Sequence, residues 1–351
     1  MDSAAAAALL LEASHEVTGI TFHLWEEKAP CPAAHRPPRG SAAGGALASA
    51  RRIAAILGIE HVVADLQQPF EDEIVEYFVG EYSRGRTPNP CVVCNRRIKF
   101  AALQQKALQL GCSRFATGHY ARVEHCGEGG RHLLKKGVDT AKDQSYMLYN
   151  LTQEQLARCL FPLGEMTKDE VRARARQFGL PVASLKESQE ICFIPGDDYP
   201  GFLKRRGIEA PPGPLVDRSG KILGQHRGLP FYTVGQRRGL GITAPHPLYV
   251  LEICPADNTI VVGEREHLYR SGAELSGLNL IAIPALEREI NIEVKIRYGA
   301  PAVPALLAPL PQEHCARLRF KTPQAAVTPG QAAVFYRDEL VIGGGTITAP
   351  V

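Results

Sequence analysis

The sequence predicts an α/β domain built on a parallel sheet, followed by two small β-rich domains of antiparallel or barrel type. Two observations carry this. Over residues 1–150 segments rich in β-formers alternate with helical ones, the pattern of a parallel sheet covered by helices. From Gly207 onward helical periodicity gives way to Gly, Pro and short runs of Val, Ile and Tyr, as in small β-domains. The boundaries that follow are 1–206, 207–272 and 273–351, with residues 151–206 a mainly helical part of the first domain.

Ala4–Ala13 is rich in Ala and Leu and reads as a helix, and Glu16–Phe22 as a strand. Residues 26–49 are dense in Pro, Ala, Gly and Ser and read as a loop. Arg51–Leu57 is a helix closed by Gly58, His61–Asp65 a short strand and Glu71–Tyr82 a helix. Arg97–Leu110 is a further helix with Gly111 at its end, and Phe115–Gly118 is a strand entering a loop. Thr152 and Thr167 are the N-caps of helices starting at Gln153 and Lys168, the second ending at Gly179 ahead of Pro181. The β-rich part offers Leu248–Ile253, Thr259–Val262, Ile290–Ile296, Ala316–Phe320 and Ala332–Tyr336 as strands. Ligands on such a parallel sheet bind beyond the carboxyl ends of its strands.

With 351 residues, 45% hydrophobic and 22% charged, the chain has the composition of a soluble globular protein. Its formal charge of +3 neither demands nor excludes nucleic acid, because local clustering decides that. No apolar run reaches the ~18–20 residues that span a bilayer, and Ala4–Leu11 lacks the basic flank of a signal peptide. Nine cysteines scattered over so long a chain are not a disulfide scaffold, so a reducing, cytoplasmic setting is expected. Cys31, Cys112, Cys126, Cys159, Cys254 and Cys315 have the context of packing residues.

The strongest chemical signal is Arg84–Lys99, which holds Pro88, Pro90, the pair Cys91 and Cys94, and then Arg96, Arg97 and Lys99. A cysteine near a helix start beside cations favours a thiolate, the form that attacks electrophiles or binds metal. The same pair also fits half a zinc site or two buried thiols, so the residues leave a zinc-stabilised RNA-binding module open. Cys192 follows the polar Lys186–Glu190 and precedes apolar residues; alone it reads as a buried strand cysteine. Lys142–Tyr149, Gly235–Gly241 with Arg237 and Arg238, and Lys295–Tyr298 combine cations with aromatics or glycines. Together these make RNA a reasonable partner, since cations bind phosphates and aromatics stack on bases.

These motifs resemble the bacterial tRNA-specific 2-thiouridylases of the PP-loop ATP pyrophosphatase superfamily. The resemblance rests on Gly85–Pro90, Cys94-Asn95 with Ile98–Phe100, Ala116–Tyr120, Lys142–Tyr146, Ile191–Ile194, Thr233–Arg237, Gly239–Ile242 and Thr328–Gln331, in that order. It implies a Rossmann-like PP-loop domain of the adenine nucleotide alpha hydrolase type, followed by two small β-domains. It also implies ATP with Mg2+ as cosubstrate, adenylation of O2 of the wobble uridine, and displacement of AMP by sulfur. Cys94 is then the nucleophile and Cys192 the persulfide carrier, and the two close a disulfide during turnover. The resemblance further implies that Asp2, Ser3, Phe22 and Gly118 belong to the nucleotide site and that Asn89, Pro90 and Cys91 contact the target base. His119, Lys142, Asp143, Gln144, Arg297, Tyr298 and Gln331 match tRNA-contact positions. The expected partners are the tRNA anticodon stem-loop and a sulfur-relay protein or cysteine desulfurase.

Two departures from the family pattern stand out. Of its phosphate loop, Ser-Gly-Gly-x-Asp-Ser, only Asp2 and Ser3 are present here, so an upstream start that restores the loop is expected, the alternative being a degenerate copy that retains tRNA binding. Cys91 stands where many members carry Asp, as in a Cys-x-x-Cys subset, and makes Cys91, Cys94 and Cys192 candidate ligands of an iron–sulfur cluster. Persulfide and cluster chemistry use the same residues, and the sequence leaves both open.

Overall fold

The computed structural model describes residues 1–25, 42–125, 130–181, 191–194, 196 and 198–351. Cys31, Cys126 and the Lys186–Glu190 segment lie outside them. Numbered along the chain, the first elements are α1 (Asp2–Glu12), β1 (Thr18–His23), α2 (Ala42–Leu57), β2 (Glu60–Asp65), α3 (Gln67–Phe70) and α4 (Glu76–Ser83). They are followed by α5 (Pro90–Cys94), α6 (Ala101–Gln109), β3 (Phe115–Ala116), β4 (Ala121–Glu124) and β5 (Leu133–Lys136). Next come α7 (Ser145–Leu148), α8 (Gln153–Arg158), β6 (Cys159–Leu160), α9 (Lys168–Gln177) and α10 (Tyr199–Arg205). The β-rich part contains β7 (Gly213–Val216), β8 (Ile222–His226), β9 (Tyr249–Cys254), β10 (Thr259–Gly263) and β11 (Tyr269–Leu280). It ends with β12 (Ile290–Lys295), β13 (Val303–Pro309), β14 (Ala316–Ala325), β15 (Ala332–Arg337) and β16 (Leu340–Pro350). No helix among the described residues is long and apolar enough to cross a membrane.

Two compact units result, the first made of Met1–Ile74 with Val92–Gln189, the second of Val75–Cys91 with Glu190–Val351. In the first, β1 pairs in parallel with β2 and β3 with β6, as the alternating pattern predicts. The β4–β5 hairpin, antiparallel from Ala121↔Lys136 to Glu124↔Leu133, has no sequence forecast. The small side chains of α1 set its packing. Ala4 and Ala8 sit against Ala175 and Leu180, while Ala5 and Ala6 meet Tyr120, Leu163 and Val171. Alanine lets α9 approach closely, and this brings residues of α9 to the first turn of α1. Both predicted caps are present as full capping boxes, Thr152 with Gln155 and Thr167 with Glu170.

Two helix starts differ from expectation, and one helix is irregular. Helix α2 starts at Ala42, inside the segment read as loop, so Gly44 and Gly45 are helical. Burial decides this over propensity, since Ile53 and Leu57 of the same helix pack on the α1–α9 core. Helical structure begins at Pro90 instead of Arg97, with proline at the first position, where its missing N–H costs nothing. Between α5 and α6 the helix widens into a π-turn over Asn95–Phe100.

In the second unit β11–β16 close a six-stranded antiparallel barrel, in the order β11-β14-β13-β12-β15-β16 and back to β11. Inward-facing Leu275, Val294, Leu307, Leu318, Phe335 and Ile347 fill it, each at most 1% exposed. The remaining sheet, β8-β7-β10-β9, is not wholly antiparallel as the sequence suggests, because β7 and β10 run parallel.

Candidate active site

In the first unit Gly118 meets the start of α1, where Asp2 and Ser3 lie. A Cβ on Gly118 would lie 2.5 Å from the Asp2 carbonyl carbon and 2.6 Å from the Ser3 nitrogen, so only glycine allows the strand β3 loop to touch that turn. Lys168 Nζ lies 2.8 Å from both Asp2 carboxylate oxygens, and the Tyr120 hydroxyl donates to Oδ1 at 3.2 Å. Lys168 is only 5% exposed, and its ammonium lies 5.3 Å from the Tyr120 ring centre. Phe22 is placed in β1, in register with Ala64 of β2. Lys168 was not foreseen as a site residue. The only hint was its place just after the Thr167 cap, where a cation opposes the helix dipole and so calls for compensation.

The neighbouring loops are latched to the same group. The Gln144 N–H donates to Tyr120 O at 2.8 Å, and Gln144 Oε1 accepts from Tyr120 N at 2.9 Å. Asp143 is buried, its carboxylate accepting from Gly137 N, Ser145 N and Ser145 Oγ. Asp143 and Gln144 thus hold the segment in place, while Lys142 beside them is half-buried. His119 donates to or accepts from Thr117 Oγ1 at 2.8 Å through Nδ1, with its ring between Phe100 and Phe161. Loss of hydration, and then the charge of Lys99, pushes its pKa down to about 3.

A neutral His119 makes a testable demand on stability. Its folded pKa lies below the unfolded value of 6.5, so its contribution is complete above pH 6.5 and is lost as pH falls toward 3. Across that window the wild-type chain should lose stability relative to His119→Gln, with a limiting slope of about 1.4 kcal/mol per pH unit. Urea unfolding of both proteins at pH 7, 6, 5 and 4 measures the difference; parallel curves would show that His119 is not held neutral.

Cys94 ends α5 and is 5% exposed, while Cys91, in the first turn, is exposed. The helix start that favours a thiolate is therefore nearer Cys91 than the sequence suggested, because the dipole acts mainly within the first turn. Arg96 is engaged with Asn150 Oδ1 at 2.9 Å, and its carbonyl accepts from Gln155. Asn95, 3% exposed, donates to Met147 O at 3.0 Å, but its buried Oδ1 has no partner among the described residues. A π-turn next to Cys94, with a buried amide oxygen that lacks a partner among the described residues, is the kind of local irregularity that recurs at functional sites. Cys159, by contrast, is fully buried, with its thiol pKa pushed up to about 12 by desolvation, and is inert packing as expected.

In the second unit Cys192 is exposed, whereas Phe193 and Ile194 after it are buried. Phe193 is clamped between Phe78 at 5.4 Å and Phe202 at 5.5 Å, which fixes the backbone that carries Cys192. Cys192 is thus a surface group on an anchored turn, not the buried strand cysteine its flanks alone suggest. The Asn89-Pro90-Cys91 segment is supported from the barrel. Gln331 Nε2 donates to Thr87 O at 3.0 Å and Pro88 O at 3.1 Å, and Thr87 N donates to Pro329 O at 2.9 Å. A Cβ on Gly330 would fall 2.7 Å from Thr87 O, so the two segments touch at backbone distance. Gln331 accordingly fixes the backbone that leads into Asn89-Pro90-Cys91. Arg297 and Tyr298 are exposed just past β12, with Arg297 donating to Ala325 O at 3.2 Å. Among the described residues no three His, Cys, Asp or Glu side chains gather as metal ligands.

Three family descriptions match successive parts of the chain: a tRNA methyl transferase HUP domain over residues 1–196, a tRNA methyl transferase PRC-barrel domain over 200–264 and an aminomethyltransferase beta-barrel domain over 271–347. The tRNA-specific 2-thiouridylase MnmA of Pelotomaculum thermopropionicum is 47% identical over 99% of this chain and 94% of its own length. The chain belongs to the MnmA family. Family members from Moorella thermoacetica, 49% identical over 99% of this chain and 96% of their own, and from Heliobacterium modesticaldum, 48% identical over 99% and 90%, agree with this assignment. An α/β HUP domain followed by two β-barrel-type domains is thus the MnmA arrangement, as the sequence motifs implied.

Proposed function

We propose that the chain is a tRNA-uridine 2-sulfurtransferase that uses ATP to activate the wobble uridine and replaces its C2 oxygen with sulfur. One observation carries the reading: a tRNA-specific 2-thiouridylase is 47% identical over 347 residues, 99% of the chain. ATP, as its magnesium complex, is the cosubstrate. In the first step O2 of the uridine attacks the α-phosphorus and pyrophosphate leaves. The group around Asp2, Ser3, Gly118 and Lys168 is the proposed nucleotide site, where backbone N–H groups at the start of α1 and a buried cation suit phosphate.

In the second step Cys192 carries a persulfide, loaded by a sulfur-relay protein or a cysteine desulfurase. The Cys94 thiolate attacks the Cys192 Sγ, forming a Cys94–Cys192 disulfide and releasing the outer sulfur as hydrosulfide. Hydrosulfide adds to C2, AMP departs with the original oxygen, and a thiol reductant reopens the disulfide. Asn89, Pro90 and Cys91, held by Gln331, are assigned to the target base, and His119, Lys142, Arg297 and Tyr298 to the tRNA. A neutral His119 would offer a hydrogen bond without adding charge. The test is transfer of radiolabelled sulfur from a persulfide donor to a tRNA transcript with ATP and reductant. Label in 2-thiouridine, dependent on ATP, is the expected result; tRNA binding without transfer would leave a binding protein and overturn the proposal.

A further inference from the structure

The arginine pair of the Gly-rich loop in the second unit, one of the basic segments that make RNA a reasonable partner from sequence, has no place in the two-step mechanism above. Arg237 and Arg238 are adjacent and exposed, yet they serve two different hollows. Arg238 lines a cavity of about 550 Å3 together with Tyr199, Arg227 and Phe231. Arg237 lines another of about 370 Å3 together with Leu240, Ile242 and His246. Gly239 borders both, so the loop is a ridge between the two hollows, with Arg238 lining one and Arg237 the other. No Asp or Glu borders either hollow.

The ridge is built rigidly. Gly235 N donates to Val250 O at 2.8 Å and Val250 N to Gln236 O at 2.9 Å, tying the loop to β9. The Gln236 side chain staples the loop to itself, accepting from Thr233 N at 3.1 Å and donating to Arg238 O at 2.9 Å. Gly235 and Gly239 adopt φ of +90° and +75°, which other residues reach only with strain. Cations held on a fixed frame lose little freedom on binding, and guanidinium matches phosphate geometry.

We propose that this ridge is a further tRNA-binding element, gripping the phosphodiester backbone with Arg237 and Arg238 on its two sides and Arg227 beyond. A single small anion could engage one hollow only, whereas a polyanion laid across the ridge engages both. The Gln236 amide, which could otherwise read a base edge, is engaged within the loop. The proposed role of the arginine pair is backbone contact that positions RNA.

The proposal rests on the tRNA reading above, and the test separates the two. Binding of the tRNA transcript to the full chain is measured by fluorescence anisotropy from 50 to 300 mM salt, for wild type, R237Q/R238Q, R237K/R238K and the surface control R218Q. The Gln pair should bind about tenfold more weakly, with the salt slope reduced by about 0.7–0.9 per lost phosphate contact. The Lys pair should keep most of the slope, R218Q should match wild type, and kcat at saturating tRNA should be unchanged in the Gln pair while KM for tRNA rises. An unchanged affinity and slope in the Gln pair would overturn the ridge while leaving the enzyme reading intact. Failure of the wild-type chain to bind tRNA would sink the enzyme reading itself and the ridge with it.

Discussion

Cys94→Ser should lower sulfur transfer to tRNA by about a thousandfold or more, the scale on which a covalent nucleophile acts. Because serine is nearly isosteric and the position is 5% exposed at the end of α5, folding and tRNA binding should stay close to wild type. Cys192→Ser should abolish transfer equally, but the two variants differ in what they accumulate. Incubated with donor, the Cys94 variant should keep a protein one sulfur heavier at Cys192, since nothing releases the outer sulfur. The Cys192 variant should not gain that mass. Intact-protein mass spectrometry with and without reductant distinguishes them. Cys91→Ser completes the set: with the persulfide route it retains transfer in the absence of iron, and a loss matching that of Cys94→Ser would point instead to three thiolates acting together.

The parts of this picture that were legible in the sequence are those fixed by local chemistry. Thr152 and Thr167 announce their helices because a hydroxyl cap followed three residues later by Gln or Glu satisfies two backbone donors, and both boxes are present. The strands near Thr259 and Ala332 are readable because β-branched and apolar residues concentrate there. Cys94 and Cys192 stand out in the sequence by motif alone. Strands β11 and β16 were not foreseen, since Gly272, Gly277 and Gly343–Gly345 break their pattern, and what makes them strands is barrel closure between residues far apart in the chain. The start of α2 was missed for a similar reason, because glycines that weaken an isolated helix are tolerated once its later turns are buried. Lys168 and Gln331 were hidden in a different way. Gln331 matched a tRNA-contact position, but that its amide is spent on Thr87 and Pro88 is a tertiary fact with no local trace.

Lys168 is where that tertiary information bears most directly on the chemistry. The residue opens α9, so its charge faces the positive end of the helix dipole, an unfavourable place for a cation. Two carboxylates offset this: Asp2 accepts from Nζ with both oxygens at 2.8 Å, and Asp139 Oδ2 accepts from the Lys168 N–H at 2.9 Å. Asp2→Ala leaves the ammonium without that pair in a site 5% exposed, and should cost about 3 kcal/mol, the lower end of what breaking a buried pair costs, because Asp2 itself is 34% exposed. Lys168→Met removes the cation along with the need for the pair and should cost less. The double variant should then be more stable than the sum of the single effects by about 1.5–3 kcal/mol, a coupling that urea unfolding of the four proteins measures. If Lys168 only held the helices together, loss of stability would be the whole effect. A cation beside the first turn of α1 that also serves the phosphates requires more: Lys168→Met should raise KM for ATP by about tenfold or more at temperatures where it is fully folded, with KM for tRNA unchanged. Additive unfolding energies would show that the pair is not coupled, and an unchanged KM for ATP would confine Lys168 to the scaffold.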